Sequence, residues 1–254
     1  MKKAIWTQSY SINTLLVNPQ KKLGLFGLLN LVQDTAWIHA THLGHGYENM
    51  LRDRTAWVLT RQKLAMKIWP RWGEEIELKT WIRPITSMVA IRDFQFLTGD
   101  EIVGECTTQW LILDLNTRRP SEKSLQMDPS EFAADTPVIF DAAKIPLKRD
   151  LKEVAQFNVR NSDLDLNGHV NNTRYAQWIL DAISEEKHRE YVLQEYEVNF
   201  IAETKLGDLI TICSASLQED KFLYQGIRAS DQKTVFAATL KVSAQQLSPS
   251  FNQS

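Results

Sequence analysis

The 254-residue sequence has little cysteine and no long apolar run. Cys106 and Cys213 are its two thiols, and two distant thiols in a chain of this length predict a reducing compartment rather than a disulfide framework. No uncharged apolar stretch approaches the roughly 18 residues that a membrane-spanning helix needs. The opening MKKAIWTQSY has neither the apolar core nor the cleavage site of a signal peptide. We therefore expect a cytoplasmic protein without a membrane segment.

A large excess of either charge is also absent, because the net charge is −2. This excludes a global positive field for nucleic acid. Residues 1–92 nevertheless hold 13 Lys or Arg and 6 Asp or Glu, a balance of +7, which leaves −9 for the remainder. A solvated face is the commoner explanation of such a bias, and attraction of an acidic macromolecular partner is the alternative.

Two copies of one pattern of secondary structure fill the chain. In the first copy, a strand over residues 5–13 precedes a helix over 23–41 that is apolar on nearly every side, so we expect it to be buried all round. In the second copy, a strand over 153–160 precedes a helix over 170–183. Period-two segments predict the strands that follow each helix: 55–69, 74–85, 89–97 and 102–114 in the first copy, and 191–200, 209–217, 222–229 and 234–243 in the second.

A constant offset of 134 residues relates the two copies. It aligns Trp57-Val-Leu-Thr-Arg with Tyr191-Val-Leu-Gln-Glu, and Gly73-Glu-Glu-Ile with Gly207-Asp-Leu-Ile. A strand, a buried helix and four antiparallel strands, repeated once, predict an α+β tandem hotdog whose two units share one continuous sheet. We assign residues 1–125 to the N-terminal hotdog, 126–152 to a connector, 153–245 to the C-terminal hotdog and 246–254 to a polar tail.

The segment from Asp163 to Asn172 holds two carboxylates, an imidazole and three amides just before the second helix. Its Asp-x-Asp-x-Asn-Gly opening is that of a calcium loop, but the twelfth position is Arg174 where a bidentate Glu is required. This argues against calcium. A helix cap is the expected role of at least one of the polar residues Asp163, Asp165, Asn171 and Asn172.

Acid-base chemistry is the second hypothesis for this segment. Asp165, Asn167 and His169 alternate, so on an extended segment they point the same way. They lead to a helix N-terminus, where free amides favour a developing oxyanion. Glu203, at the end of the next strand, is predicted to reach the same place. Together they offer a carboxylate to activate water or to attack, an imidazole for proton transfer and amides to hold a carbonyl. This set suits transfer of an acyl group from a thioester to water.

At aligned positions the first copy is apolar where the second is polar. Trp69 aligns with Glu203 at the offset of 134, and Phe26 aligns with Asn167 at an offset of 141, which matches the two helices. This difference predicts that the first copy lines an acyl pocket while the second carries the chemistry. The candidate pocket residues are Phe26, Trp37, Trp57 and Trp69. No Gly-x-Ser-x-Gly elbow, His-Glu-x-x-His helix or Cys-x-x-Cys pair is present, which argues against a serine hydrolase and a zinc site. We expect neither a metal nor an organic cofactor.

Ser162-Asp-Leu-Asp-Leu-Asn-Gly-His-Val-Asn-Asn-Thr-Arg-Tyr175 resembles the second-domain signature of the acyl-acyl carrier protein thioesterases, of the plant type and their bacterial relatives. Leu31-Val-Gln-Asp-Thr-Ala36, Thr60-Arg61, Trp72-Gly73 and Thr117-Arg-Arg-Pro-Ser-Glu-Lys123 are similar to the first-domain landmarks. The resemblance covers residues 1 to about 245. It implies a double-hotdog enzyme that releases free fatty acid from acyl carrier protein.

The resemblance also implies site residues. The family's Asp-x-Asn-x-His falls on Asp165, Asn167 and His169, and its later glutamate falls on Glu203. The family has an Arg pair before that glutamate and a Cys after it, whereas this chain has Ile201-Ala202 and Thr204. The missing Cys argues against a Cys-His-Asn scheme. It favours a carboxylate mechanism, in which Asp165 and Glu203 activate water or Asp165 attacks directly.

Acyl carrier protein is acidic, so the resemblance gives the basic first third a candidate partner, with Lys63, Lys67 and Arg71 as expected contacts. Two alternatives stay open. One is a hotdog thioesterase acting on acyl-coenzyme A, and the other is a non-catalytic acyl-binding sensor. A homodimer of the fused pair also stays open.

Overall fold

One antiparallel sheet runs without a break from the first half of the chain to the second. The computed structural model describes residues 3–85, 88–121, 128–133 and 136–245. The predicted tail 246–254 and the end of the Thr117–Lys123 landmark lie outside the described residues. The strands of the first half are β1 (Ile5–Ser11), β2 (Thr55–Met66), β3 (Glu75–Ile82), β4 (Val89–Thr98), β5 (Glu101–Asp114) and the two-residue β6 (Arg119–Pro120). Those of the second half are β7 (Lys152–Asn158), β8 (Tyr191–Phe200), β9 (Leu209–Gln218), β10 (Lys221–Arg228) and β11 (Lys233–Ala244).

The strand order repeats in mirror sequence about the centre of the sheet. It is β1-β3-β4-β5-β2-β8-β11-β10-β9-β7, with β6 paired to β5. The halves meet where β2 pairs with β8, and Lys63 lies directly opposite Glu197 in that ladder. These two positions differ by 134 residues, the offset seen in the sequence, so the approximate twofold axis of the repeat passes through this pair. The predicted tandem hotdog with one continuous sheet is confirmed.

Four α-helices accompany the sheet in the described part of the chain: α1 (Leu25–Leu43), α2 (Tyr47–Arg52), α3 (Asn172–Asp181) and α4 (Glu185–Glu190). Helix α1 ends at Gly44, whose φ of 89° is left-handed and favours glycine. Apolar residues of α1 and α3 share one core with buried residues of both halves of the sheet, among them Leu28, Phe94, Trp178 and Phe236. None of the described helices is both long and apolar enough to cross a membrane.

Helix α1 differs from the prediction that it would be buried on all sides. Trp37 is 43% exposed, and Phe26 is half-buried. The reason is that α1 packs against the sheet and α3 along part of its circumference only. Four of its residues border an open cavity instead: Gln33, Ala36, Trp37 and Ala40. Helices α2 and α4 were not predicted, because each has six residues and therefore shows less than two turns of apolar periodicity.

The connector is held against the sheet by buried amides. Asn199 and Gln225, which are 6% and 2% exposed, lie within strands of the second half. Asn199 accepts from the backbone N–H of Ile145 at 2.7 Å and donates to the carbonyl of Ala143 at 2.9 Å. Gln225 makes the same two kinds of bond with the backbone of Lys148. These four bonds satisfy both buried amides, so the connector packs as part of the structure.

Candidate active site

A cavity of about 560 Å³ opens between the two halves, and residues of both halves line it. Helices α1 and α2 and strands β2 to β5 supply most of an apolar wall, which includes Ala36, Met50, Leu59, Ile82 and Trp110. The second half supplies the polar end. Its lining residues include all four predicted catalytic side chains, Asp165, Asn167, His169 and Glu203.

A tight turn brings the first three of these residues to the cavity. Oδ1 of Asp165 accepts the backbone N–H of Asn167 at 2.8 Å and of His169 at 3.2 Å. Gly168 completes the turn with a φ of 74°, and its N–H donates to the carbonyl of Asp165 at 3.0 Å. The prediction of an extended, alternating segment is therefore wrong, because the Asp165 carboxylate bonds to amides of its own loop and curls it. Oδ2 of Asp165 has no hydrogen-bond partner among the described residues.

The helix cap predicted for this segment is Asn171. Its side-chain oxygen accepts the N–H and the hydroxyl of Thr173, both at 3.0 Å, and α3 begins at the next residue. Asp163 instead accepts the N–H of Arg160 at 2.8 Å and lies 3.8 Å from the guanidinium of Arg174. Arg174 is the residue at the twelfth position of the calcium pattern. Among the described residues, no group of three or more His, Cys, Asp or Glu side chains is placed to hold a metal ion.

Glu203 reaches the site through a link between its loop and the Asp165 loop. The N–H of Val170 donates to the carbonyl of Thr204 at 3.3 Å, so the residues next to His169 and Glu203 are bonded to each other. The hydroxyl of Tyr175 donates to Oγ1 of Thr204 at 3.0 Å. Burial raises the pKa of Tyr175 to about 12, so this hydroxyl remains protonated at neutral pH. These two bonds to Thr204 hold the loop of Glu203 next to the other three residues, although Glu203 is distant from them in sequence.

Arg118 is a site residue that sequence reasoning missed. It belongs to the turn between β5 and β6 in the first half, yet its Nη2 donates to Oε1 of Glu203 at 2.6 Å. Arg228 of the second half also contacts Glu203, because its Nη1 donates to the backbone carbonyl of Glu203 at 2.7 Å. The only signal in the sequence was the Thr-Arg-Arg landmark, and spacing alone gives no reason to connect it with a glutamate 85 residues away.

Two of the four candidate pocket residues line the cavity. Trp57 is held there by a bond from its Nε1 to the carbonyl of His45 at 3.2 Å. Trp37 lies at the exposed edge of the cavity, with its ring centroid 6.1 Å from that of Tyr47.

The structure places Phe26 and Trp69 outside the cavity wall. The Phe26 ring lies 5.0 Å from the guanidinium carbon of Arg174. Nε1 of Trp69 donates to the carbonyl of Leu193 at 2.7 Å. Both residues therefore bridge the two halves, because each contacts a residue of the second half, and the alignment that paired them with polar residues did not predict where their side chains lie.

The three basic residues expected to meet a carrier also lie outside the cavity. Lys63 precedes the buried Leu64 in β2, and neighbouring side chains in a strand point to opposite faces of the sheet. The Lys63 side chain therefore lies on the face opposite to that of Leu64. There its Nζ is 3.7 Å from Glu195 and 5.2 Å from the centroid of the Phe140 ring. Lys67 and Arg71 are exposed.

A buried cation also lines the cavity. Arg92 is 6% exposed and donates from Nη1 to Nδ1 of His39 at 2.8 Å, while Nε2 of His39 contacts the carbonyl of Lys3 at 2.8 Å. Because an arginine can only donate and a carbonyl can only accept, His39 is the neutral tautomer with its proton on Nε2. Burial, followed by the charge of Arg92, lowers the pKa of His39 to about 4, and burial lowers the pKa of Arg92 to about 9. Among the described residues, Arg92 makes no ion pair with a carboxylate.

The shared sheet, the helix α1 beneath one half and α3 beneath the other define a double-hotdog protein. Residues 3–125 match the family model for the acyl-ACP thioesterase N-terminal domain, and residues 148–243 match that for the C-terminal domain. The chain belongs to the acyl-ACP thioesterase family.

Relatives agree in sequence and fold. An acyl-[acyl-carrier-protein] hydrolase of Cuphea viscosissima is 28% identical over 241 residues, which cover 86% of this chain and 57% of that protein. The chain thus spans little more than half the length of this chloroplastic relative. The crystal structure of an acyl-ACP thioesterase from Bacteroides thetaiotaomicron superposes with a TM-score of 0.87 at 23% identity, covering 94% of this chain and 98% of the other. The 12:0-ACP thioesterase of Umbellularia californica gives 0.86 at 19% identity, covering 96% and 99%.

Proposed function

We propose that this protein hydrolyses the thioester of acyl-acyl carrier protein and releases free fatty acid, which ends chain growth in fatty acid synthesis. The observation that carries the proposal is the single cavity in which an apolar wall from one half meets Asp165, Asn167, His169 and Glu203 of the other. The names of the curated relatives, which are acyl carrier protein hydrolases and thioesterases, support it.

The hydrogen bonds of the site support a proposed role for each residue. Asp165 is fixed through Oδ1, so Oδ2 is free to take a proton from water or to attack the thioester carbonyl. The imidazole of His169 and the side-chain amide of Asn167 make no hydrogen bonds to the described residues, which leaves both available to substrate. Glu203 supplies the second carboxylate for activating water. The departing thiolate is a stable leaving group that needs little protonation.

The same cavity supports different roles for the two halves of the chain. We assign the acyl chain to the N-terminal hotdog, residues 1–125, where Trp37 and Trp57 border the apolar wall. The C-terminal hotdog, residues 153–245, supplies the chemistry, and residues 126–152 connect the two.

The test is incubation with a panel of acyl-acyl carrier proteins and the matching acyl-coenzyme A esters, with released fatty acids detected by mass. Asp165→Asn is the decisive variant because its amide oxygen can still accept the N–H groups that Asp165 Oδ1 accepts, so the turn is kept. Loss of the carboxylate should lower kcat by at least about 100-fold. Glu186→Gln removes an exposed carboxylate on α4 and serves as the control, with unchanged turnover. Near-normal kcat in Asp165→Asn would contradict the proposal.

We propose that the carrier is recognised partly by charge, with Lys67 and Arg71 as exposed candidate contacts. Replacing both by Glu should lower kcat/KM for acyl-acyl carrier protein and leave that for acyl-coenzyme A unchanged, with the difference shrinking as salt is added. Equal losses on both substrates would remove these residues from the carrier interface. We also propose a cytoplasmic location, supported by two cysteines that are both unpaired.

A further inference from the structure

The polar end of the cavity contains a cation from the half that was assigned to the acyl chain. Arg118 lines the cavity together with Asp165, His169 and Glu203. Its guanidinium contacts Glu203 across the boundary between the halves, with Nη2 2.6 Å from Oε1. The contact therefore links a candidate catalytic carboxylate to a loop that belongs to the other repeat.

The turn that carries Arg118 is held by several hydrogen bonds. Oδ1 of Asp114 accepts the N–H groups of Asn116 and Thr117 at 2.9 and 2.8 Å. The N–H of Arg118 donates to the carbonyl of Asp114 at 2.8 Å, and Arg54 donates to Oδ1 of Asn116 at 3.2 Å. Arg118 itself has a φ of 57°, a left-handed conformation that few residues other than glycine adopt. A strained residue in a well-bonded turn points to a function for the position of its side chain.

The pair is not explained by stability. The side chains of Arg118 and Glu203 are 54% and 41% exposed, and an ion pair screened to this extent contributes little to folding. The ion pair instead fixes the position of the Glu203 side chain. Arg228 fixes the backbone carbonyl of Glu203 and Arg118 fixes Oε1. Oε2 has no hydrogen-bond partner in the described part of the chain, so it is the oxygen that can bind water or substrate.

We propose that Arg118 is a positioning residue that orients the carboxylate of Glu203, so that the catalytic centre is completed by the first half of the chain. This rests on the proposed hydrolysis, in which Glu203 activates water. It replaces the division of chemistry and acyl binding between the halves with a site to which both contribute. Without Arg118 the carboxylate rotates freely, and a displacement on the order of 1 Å in a reacting group lowers turnover substantially.

The experiment measures kcat and KM of the full-length protein with acyl-acyl carrier protein and with acyl-coenzyme A. Arg118→Ala should lower kcat about 10-fold on both substrates with KM within about 2-fold, because orientation and not binding is lost. Arg118→Lys, which keeps a charge within reach of Glu203, should recover part of the loss. Arg119→Ala removes the neighbouring exposed arginine and is the matched control, with kcat unchanged. Melting temperatures should agree among the variants because the pair is exposed.

The double variant decides whether Arg118 acts through Glu203. If it does, Glu203→Gln with Arg118→Ala has the same kcat as Glu203→Gln alone, since there is no carboxylate left to orient. Multiplied losses would show that Arg118 acts independently and would overturn the inference. So would a loss confined to KM for acyl-acyl carrier protein, which would make Arg118 a carrier contact, or full activity in Glu203→Gln. A wild-type protein that hydrolyses neither thioester overturns the proposed function, whereas the preceding outcomes arise in an active enzyme and overturn only the role of Arg118.

Discussion

Acidification should destabilise this protein through His39, which lies beneath the cavity wall. The side chain is fully buried, and its pKa falls from the ordinary 6.5 to about 4. His39 therefore becomes protonated below pH 6.5 in the unfolded chain, but only below about pH 4 in the folded chain. The stability that neutral His39 provides is complete above pH 6.5 and is lost as the pH falls from 6.5 to about 4.

The size of the effect follows from the same two pKa values. One pKa unit corresponds to about 1.4 kcal/mol, so the full loss is about 3 kcal/mol, of which about 2 kcal/mol is lost by pH 5. Domains of ordinary stability have about 5 to 15 kcal/mol in all. Protonated His39 would bring a second positive charge to within hydrogen-bonding distance of Arg92, where Nη1 now donates to the free lone pair of Nδ1 at 2.8 Å.

The assay is urea unfolding at pH values from 7.5 to 4.5 in wild type and in His39→Gln, whose amide does not titrate in this range. The difference in free energy of unfolding between the two proteins isolates His39 from the carboxylates that also titrate. We expect wild type to lose about 2 kcal/mol relative to the variant between pH 7 and pH 5. Parallel pH profiles, or an NMR titration of His39 with a midpoint above pH 6, would refute the reasoning.

Three further predictions concern the loop before α3 and the first turn of that helix. Asn171→Ala should lower the free energy of unfolding by about 1 kcal/mol in urea, because the first-turn N–H of Thr173 loses its cap; an unchanged value would mean that water replaces the cap. Tyr175→Phe should cost about 1 kcal/mol by leaving Oγ1 of Thr204 without its donor, and a neutral result would show that the hydroxyl finds another partner. Gly168→Ala should cost about 1 to 2 kcal/mol because φ is 74° and should also lower kcat by disturbing the Asp165 turn; wild-type kinetics would separate the turn from the chemistry.

Much of the candidate catalytic set was predictable because its residues are close together in the sequence. Asp165, Asn167 and His169 lie within five residues, so any local fold keeps them together, and the structure places all three on one cavity. Their conformation was predicted wrongly. An alternating pattern indicates a strand only when nothing competes for the backbone amides, and here the Asp165 carboxylate accepts two of them.

The pocket wall was less predictable. Trp37 and Trp57 line the cavity, whereas Phe26 and Trp69 contact the second half elsewhere. An alignment of repeats identifies equivalent backbone positions, but the direction of a bulky side chain depends on neighbours that differ between the copies.

The sequence by itself determined the tandem architecture. The apolar periodicity of the strands and helices and the offset of 134 residues between the copies can both be read from the order of the residues. It also determined the identity of a polar cluster at the start of the second helix. Only the tertiary structure joined Arg118 to Glu203, His39 to Arg92 and the connector to the buried amides of the sheet. Each of these contacts joins residues that are far apart in the chain. Local propensity and spacing carry no information about such pairs, because the packing of the two halves brings them together.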